Sequence, residues 1–276
     1  MSSSTLVAAR LTGAALIFLL IQRNIGPLLR MRRKDFVLLA LSSAIGVVGN
    51  QFLFVKGLSL TTAINATLIS TTIPVFALLV SILFGYDRLS FKRLMGMLLA
   101  AIGVLYLVNP FHADYSAQTT LGNILIVSNS FLYGTYIVIS KDLFERYGAL
   151  NVITWIFLVG TVVTIPVGAL SVRGENLDSL GVAVWLSLIL IILLPTVGAY
   201  YLNAWALTKV SPSVVAVYIY LQPLIAFGLA PVVLNETWNS RTIVSSVLIF
   251  AGVAIVTRRG RSLAIREISE HPDLAR

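Results

Sequence analysis

The apolar segments of this chain recur at a fixed distance, 149 positions apart and without a gap. Pro74 answers to Pro223, Asp87 to Glu236, Lys92 to Arg241 and Gly103 to Gly252. Gly57-Leu58-Ser59 falls on Ala206-Leu207-Thr208, and Gly49 and Leu53 fall on Gly198 and Leu202. The repeated unit, residues 57–108, is a pair of apolar spans joined by a short charged turn. A recurrence of this kind marks a duplicated gene and a membrane protein built in two halves.

Nine apolar stretches can be marked, at 5–22, 36–56, 61–84, 93–109, 120–140, 151–171, 182–205, 213–234 and 242–257. Most reach the roughly 17–25 residues that cross a bilayer. The stretches at 93–109 and 242–257 are short, but the repeat pairs them with each other, so shortness belongs to the unit. Composition agrees: 58% hydrophobic and 11% charged leaves too little charge to coat a soluble globule of 276 residues. Mean hydropathy is +0.92. Backbone polar groups in lipid require helices or a closed barrel, and these runs lack the alternation of barrel strands. The expectation is an all-α polytopic membrane protein of nine transmembrane helices with brief connections. Arg10 interrupts the first stretch and no basic segment precedes it, so this is a span rather than a signal peptide.

The net charge of +9 does not point to nucleic acid, because the basic residues lie between spans instead of on one face. With the N-terminus outside and the C-terminus in the cytoplasm, sixteen Lys and Arg fall on the cytoplasmic side; Arg10, Lys56, Arg173 and Arg241 do not. That bias sets a multi-pass orientation in the cell membrane. It also makes spans 61–109 and 213–257 cross in opposite directions, an inverted-topology repeat. Residues 1–111 then form the first repeat with four spans, 118–257 the second with five, and 258–276 a charged cytoplasmic tail. Subtracting the offset puts the partner of span 120–140 before Met1. The first half therefore lacks a helix, through a misassigned start or a truncation, or else the protein natively has nine.

Two segments, GLSLTTAINATLISTTIPVFALLVSILFGYDRLSFKRLMGMLLAAIGVLYLV and ALTKVSPSVVAVYIYLQPLIAFGLAPVVLNETWNSRTIVSSVLIFAGVAIV, carry a family resemblance. Each is similar to the cavity helix of the EamA-type transporters in the drug/metabolite transporter superfamily, with a mid-helix proline, an acidic turn and a glycine-bearing closing helix. AARLTGAALIFLLI resembles that family's second helix, with Arg10 at its usual arginine. The resemblance covers about residues 5–257 and implies five-plus-five helices and export or exchange of small metabolites. The first helix is the departure.

No Asp or Glu lies deep in a span, so proton or sodium coupling through a buried carboxylate has no residue to carry it. His112 and His271 sit in a loop and the tail, and cysteine is absent. No metal, no cofactor and no catalysis is expected. What remains is uncharged polarity. Gln222 lies about 14 Å into helix 213–234 at 1.5 Å per residue, with Tyr218 one turn earlier on the same face. Asn129 is central in helix 120–140 and Tyr133 and Tyr136 continue its face. Asn50 and Gln51 lie in helix 36–56 and Asn65 in helix 61–84. Such groups avoid hydrocarbon, so they face the interior, either bonding helix to helix or lining a midplane cavity for a neutral or zwitterionic small-molecule substrate. Tyr200, Tyr201, Asn203 and Trp205 read as an aromatic belt at the cytoplasmic interface, and Tyr201 also suits an inner gate. Pro74 and Pro223, symmetry mates, are candidate hinges. Gly96, Ala100 and Gly103 form a small-residue stripe that serves close packing within the bundle or between the protomers of a homodimer. The function expected is export of small metabolites or amino-acid-like solutes by alternating access. A truncated, non-transporting membrane protein acting as an assembly or interaction partner is the other reading.

Overall fold

The computed structural model describes residues 1–22, 31–61, 63–88, 90–108, 117–175, 180–222 and 240–257. Among these, every regular element is helical. Helix α1 (Ser3–Ile21) opens on Ser2, whose hydroxyl accepts from the Thr5 amide and satisfies one donor of the first turn. The next span enters as α2 (Arg33–Ser43), widens into a π-helical turn (Ala44–Gly49) and continues as α3 (Asn50–Leu58). The third span is α4 (Ala63–Ser70), a turn at Thr71 and Thr72, and α5 (Ile73–Leu83). Helix α6 (Phe91–Val108) follows.

In the second half, α7 (Ala117–Ile139) leads directly into the short α8 (Lys141–Tyr147). Gly148, at φ 81°, then redirects the chain into α9 (Ala149–Val172). A left-handed φ at a helix end is where a residue without Cβ belongs. Helix α10 (Val182–Ile191) widens into a second π-helical turn (Ile192–Gly198) and continues as α11 (Ala199–Leu207). Helix α12 (Pro212–Val217), a 3-10 turn (Tyr218–Tyr220) and α13 (Ser240–Thr257) complete the described elements.

The repeat is structural. Helices α3 and α11, and α6 and α13, begin and end 149 positions apart, and both π-turns close on the paired glycines Gly49 and Gly198. Mates also pack on one another, and they do so antiparallel. Along α1 and α9, a Cβ on Gly168 would meet that of Ala8 at 2.3 Å, Gly160 lies against Leu11, and the Phe157 and Phe18 rings are 5.3 Å apart. Along α6 and α13, Gly96 faces Gly252 and Val256 whereas Gly103 faces Ile249. Rising numbers on one helix meet falling numbers on its mate, as an inverted repeat requires. The small-residue stripe Gly96, Ala100 and Gly103 is thus spent within the chain, on α13.

Two clusters of buried apolar side chains result. The larger joins α1, α7, α9 and α11; the smaller is the α6–α13 seam with Leu78 and Tyr220. Among the described residues, five helices are long and apolar enough to span a bilayer, and Ile73–Leu83 and Ile243–Val256 are shorter apolar helices. Together they make an all-α polytopic membrane protein. Two spans expected to be uninterrupted, 36–56 and 182–205, carry the π-turns. In the second of them Pro195 lacks the amide that an α-helical ladder needs, and a π-turn absorbs the defect. The halves differ in cover. In Arg33–Leu58, 39% of the most apolar stretch is buried, against 11% in Val182–Leu207. Helix α7 packs on α3 and on the first π-turn, and no described helix takes the matching seat on α10 and α11.

Candidate functional site

The π-turns bring two symmetry mates, Gln51 and Tyr200, into contact. Gln51 Nε2 donates to the Tyr200 hydroxyl at 3.5 Å, across the pseudo-two-fold axis that relates the halves. The hydroxyl has two acceptors in reach, Asn50 Oδ1 and the Gly46 carbonyl, each at 3.1 Å. Its single proton serves one of them at a time. Asn129 donates from Nδ2 to the Asn50 carbonyl at 2.8 Å, and Asn203 donates to the Tyr133 hydroxyl at 2.8 Å. Around these amides stand rings: Tyr133, Tyr136 and Phe157 lie 6.0, 6.3 and 5.2 Å from the Tyr200 ring, centroid to centroid. Gly46 makes room for them, because a Cβ there would come within 2.1 Å of the Tyr136 ring. Gln51, Asn129 and Tyr200 are all buried, so the cluster is closed in this state.

One turn before Tyr200, the Thr196 hydroxyl accepts from Arg10 Nε and Nη2 at 3.2 and 3.1 Å. That hydroxyl's own proton goes to the Ile191 carbonyl at 2.8 Å, behind the π-turn. Arg10 is only 9% exposed. Among the described residues no carboxylate pairs with it. Thr196 stands fourteen residues into its span, about 21 Å at 1.5 Å per residue, so the guanidinium lies at mid-depth.

Of the residues expected to line a cavity, Asn50, Gln51, Asn129 and Tyr133 come together here. Asn65 is buried elsewhere: its amide donates to Thr61 at 3.3 Å, and Thr61 donates to Asn123 at 2.6 Å. Tyr218 and Gln222 are exposed and not turned into this cluster. Tyr201 instead lines a groove of about 600 Å³ with Trp205, Asn151 and Lys209, where α9 begins and α11 ends. Pro74 sits in the first turn of α5, where its missing amide is no loss, so the span is broken before it instead of bent at it. Pro223 falls outside the described residues.

Tyr200 and Asn203 correct the aromatic-belt reading, since Tyr200 is buried and both bond inside the bundle. The physical reason is the π-turn. One extra residue in a turn rotates the face that follows by about 100° relative to a continuous α-helix. Trp205 is 52% exposed. Sequence reasoning also missed Arg10 and Thr196 as site residues. The offset that pairs Gln51 with Tyr200 was the signal able to find the phenol.

A second polar network closes one end of the bundle around α8. Lys141, buried, gives its ammonium to Glu145 at 2.6 Å and to the Leu207 and Val210 carbonyls at 3.0 and 3.2 Å, capping the end of α11. Arg146 bridges Asp35 at 3.2 Å and Asp142 at 3.3 Å, and the Tyr147 hydroxyl donates to Asp35 at 2.8 Å. Tyr86 donates to Asp142 at 2.5 Å; partial burial and this bond push its phenol well above the ordinary range. In the α5–α6 turn, Asp87 is buried and accepts from Ser81 at 2.7 Å and from Arg93.

Comparison with known proteins finds the profile of the EamA-like transporter family matching residues 1–109 and 120–258, once in each half. An uncharacterized transporter of Archaeoglobus fulgidus is 29% identical over 226 residues, 80% of this chain and 75% of that one. A probable terminal-alkyne amino-acid exporter of Streptantibioticus cattleyicolor is 28% identical over 237 residues, 85% of this chain and 78% of the relative. A solved crystal structure matches with TM-score 0.78 over 95% of this chain and 90% of its own, at 18% identity, a likeness of fold.

Proposed function

Because the chain belongs to the EamA-like transporter family, we propose that this membrane transporter exports a small amino-acid-like or related metabolite. It does so by alternating access, with no catalytic step, around the cluster at Gln51 and Tyr200. One observation carries this reading. The polar groups of the two halves converge on the pseudo-symmetry axis at mid-depth, where a solute bound between rocking halves has to sit. The name of the Streptantibioticus cattleyicolor relative, a probable terminal-alkyne amino-acid exporter, supports the substrate class.

The charge bias puts the α8 end in the cytoplasm. The Lys141 and Arg146 contacts then form the inner closure, and they break when that side opens. The turn before Pro74 supplies the hinge in the first half, with Pro223 its counterpart.

The test is expression in an export-deficient host, with the metabolites in the medium profiled against an empty vector. Selective enrichment of a small amino-acid-like set is the expected outcome. An unchanged medium from well-inserted protein leaves the chain as a non-transporting assembly partner.

A further inference from the structure

Arg10 is the group the closed cluster leaves unexplained. Arginine stays charged at any accessible pH. Buried charges in membrane spans are costly and sit where a partner or a pathway needs them. Among the described residues the guanidinium has one neutral acceptor, Thr196 Oγ1, and that oxygen takes two of its five N–H groups. A planar fork of donors at mid-depth with no carboxylate against it among the described residues is a half-built ion pair.

Its neighbours suit the other half of a zwitterion. Thr196 and Tyr200 are four residues apart in one span, and the Arg10 guanidinium and the Tyr200 phenol lie within electrostatic reach of each other. That hydroxyl reaches the acceptors Asn50 Oδ1 and Gly46 O at 3.1 Å. The Tyr133, Tyr136 and Phe157 rings stand around it, and aromatic faces attract an ammonium group. Cation donors on one side and acceptors with ring faces on the other match the two ends of an α-amino acid.

We infer that Arg10 is the carboxylate anchor of the transport site, with Thr196 orienting it and Asn50 and the tyrosine rings receiving the ammonium. This rests on the transport reading above. The substrate class is therefore a solute bearing a free carboxylate, and a neutral amide of the same shape is rejected.

The experiment profiles export from the same host carrying wild type, Arg10→Gln or Arg10→Lys, with the amount of inserted protein measured for each. Exported solutes should carry a carboxylate, and Arg10→Gln should lower their export about ten- to a hundredfold, the loss of a charge-assisted bond. Arg10→Lys should keep part of it, because charge remains and the fork does not. Export by Arg10→Gln equal to wild type, or exported solutes without a carboxylate, overturns the assignment and leaves transport standing. No export by wild type ends the transport reading and this one with it. If Arg10→Gln fails to insert, the wild-type protein decides. Heat protection of purified protein by the common amino acids, absent with their carboxamides, supports the anchor; equal protection by both refutes it.

Discussion

Gly252→Ala tests a close approach of backbone to backbone between the halves. A Cβ at Gly252 would lie 2.5 Å from the Gly96 carbonyl oxygen, 2.6 Å from the Ala100 amide nitrogen and 2.8 Å from the Ala100 Cβ. None of these is the end of a flexible side chain, so relief comes only by moving α13 from α6, from 2.5 to at least 3.4 Å at the tightest point. A radial gap of about 0.5–1 Å forfeits roughly a quarter to a half of the dispersion energy at each contact it opens. The seam includes Met97, Val104, Ile249, Val253 and Val256, all buried. Overpacking of this kind costs about 1–3 kcal/mol. Alanine's helix propensity returns up to about 1 kcal/mol, so the clash wins in all but the mildest case. Thermal unfolding in detergent should show a midpoint lower by about 2–8 °C. Gly181→Ala is the control: a Cβ there meets nothing within 4 Å and φ is −65°, so the midpoint should hold. A Gly252→Ala protein that unfolds with Gly181→Ala, or above wild type, would refute the antiparallel glycine seam.

Tyr200→Phe should lower stability by about 0.6–1.7 kcal/mol, the range of polar contacts in membrane bundles, and cut export several-fold more than its effect on protein level; export at the wild-type rate would exclude Tyr200 from the site. Lys141→Met strands the Leu207 and Val210 carbonyls and should cost about 1–3 kcal/mol, read as a lower unfolding midpoint. Glu175, at the opposite end, is held at about 2, from an ordinary 4.5, by hydrogen bonds from Ser2 first and then Thr5. The folded value is depressed, so its contribution is complete above about 4.5 and fades as pH falls toward about 2. The difference in unfolding midpoint between wild type and Glu175→Gln should shrink across that window and stay constant above it.

Much of the architecture was legible because lipid leaves few choices. Span length fixes the helices, and a constant offset fixes which helices are related. Less legible were the π-turns. Ala44–Gly49 contains no proline, and the Tyr136 ring fills the place of a Gly46 side chain there, a contact between residues 90 positions apart. Every residue after such a turn is re-aimed, which is why Tyr200 and Asn203 left the predicted belt for the interior. Asn50, Gln51, Asn129 and Tyr133 could be chosen from depth and polarity alone. Asn65, Tyr218 and Gln222 met the same criteria, and depth cannot say which way a side chain points. Arg10 was visible as a charge, but that its neighbour is a threonine 186 positions away instead of an acid is a matter of packing.

A homodimer assembled from two such halves would have to present the same chemistry twice wherever its axis passes, because an isologous contact pairs a residue with itself. Fusing the copies into one chain lifted that obligation, and here the pole of the axis is an amide facing a phenol. A pocket whose two sides differ can tell head from tail in whatever it carries. A single end-to-end orientation of the bound solute is what that broken equivalence implies.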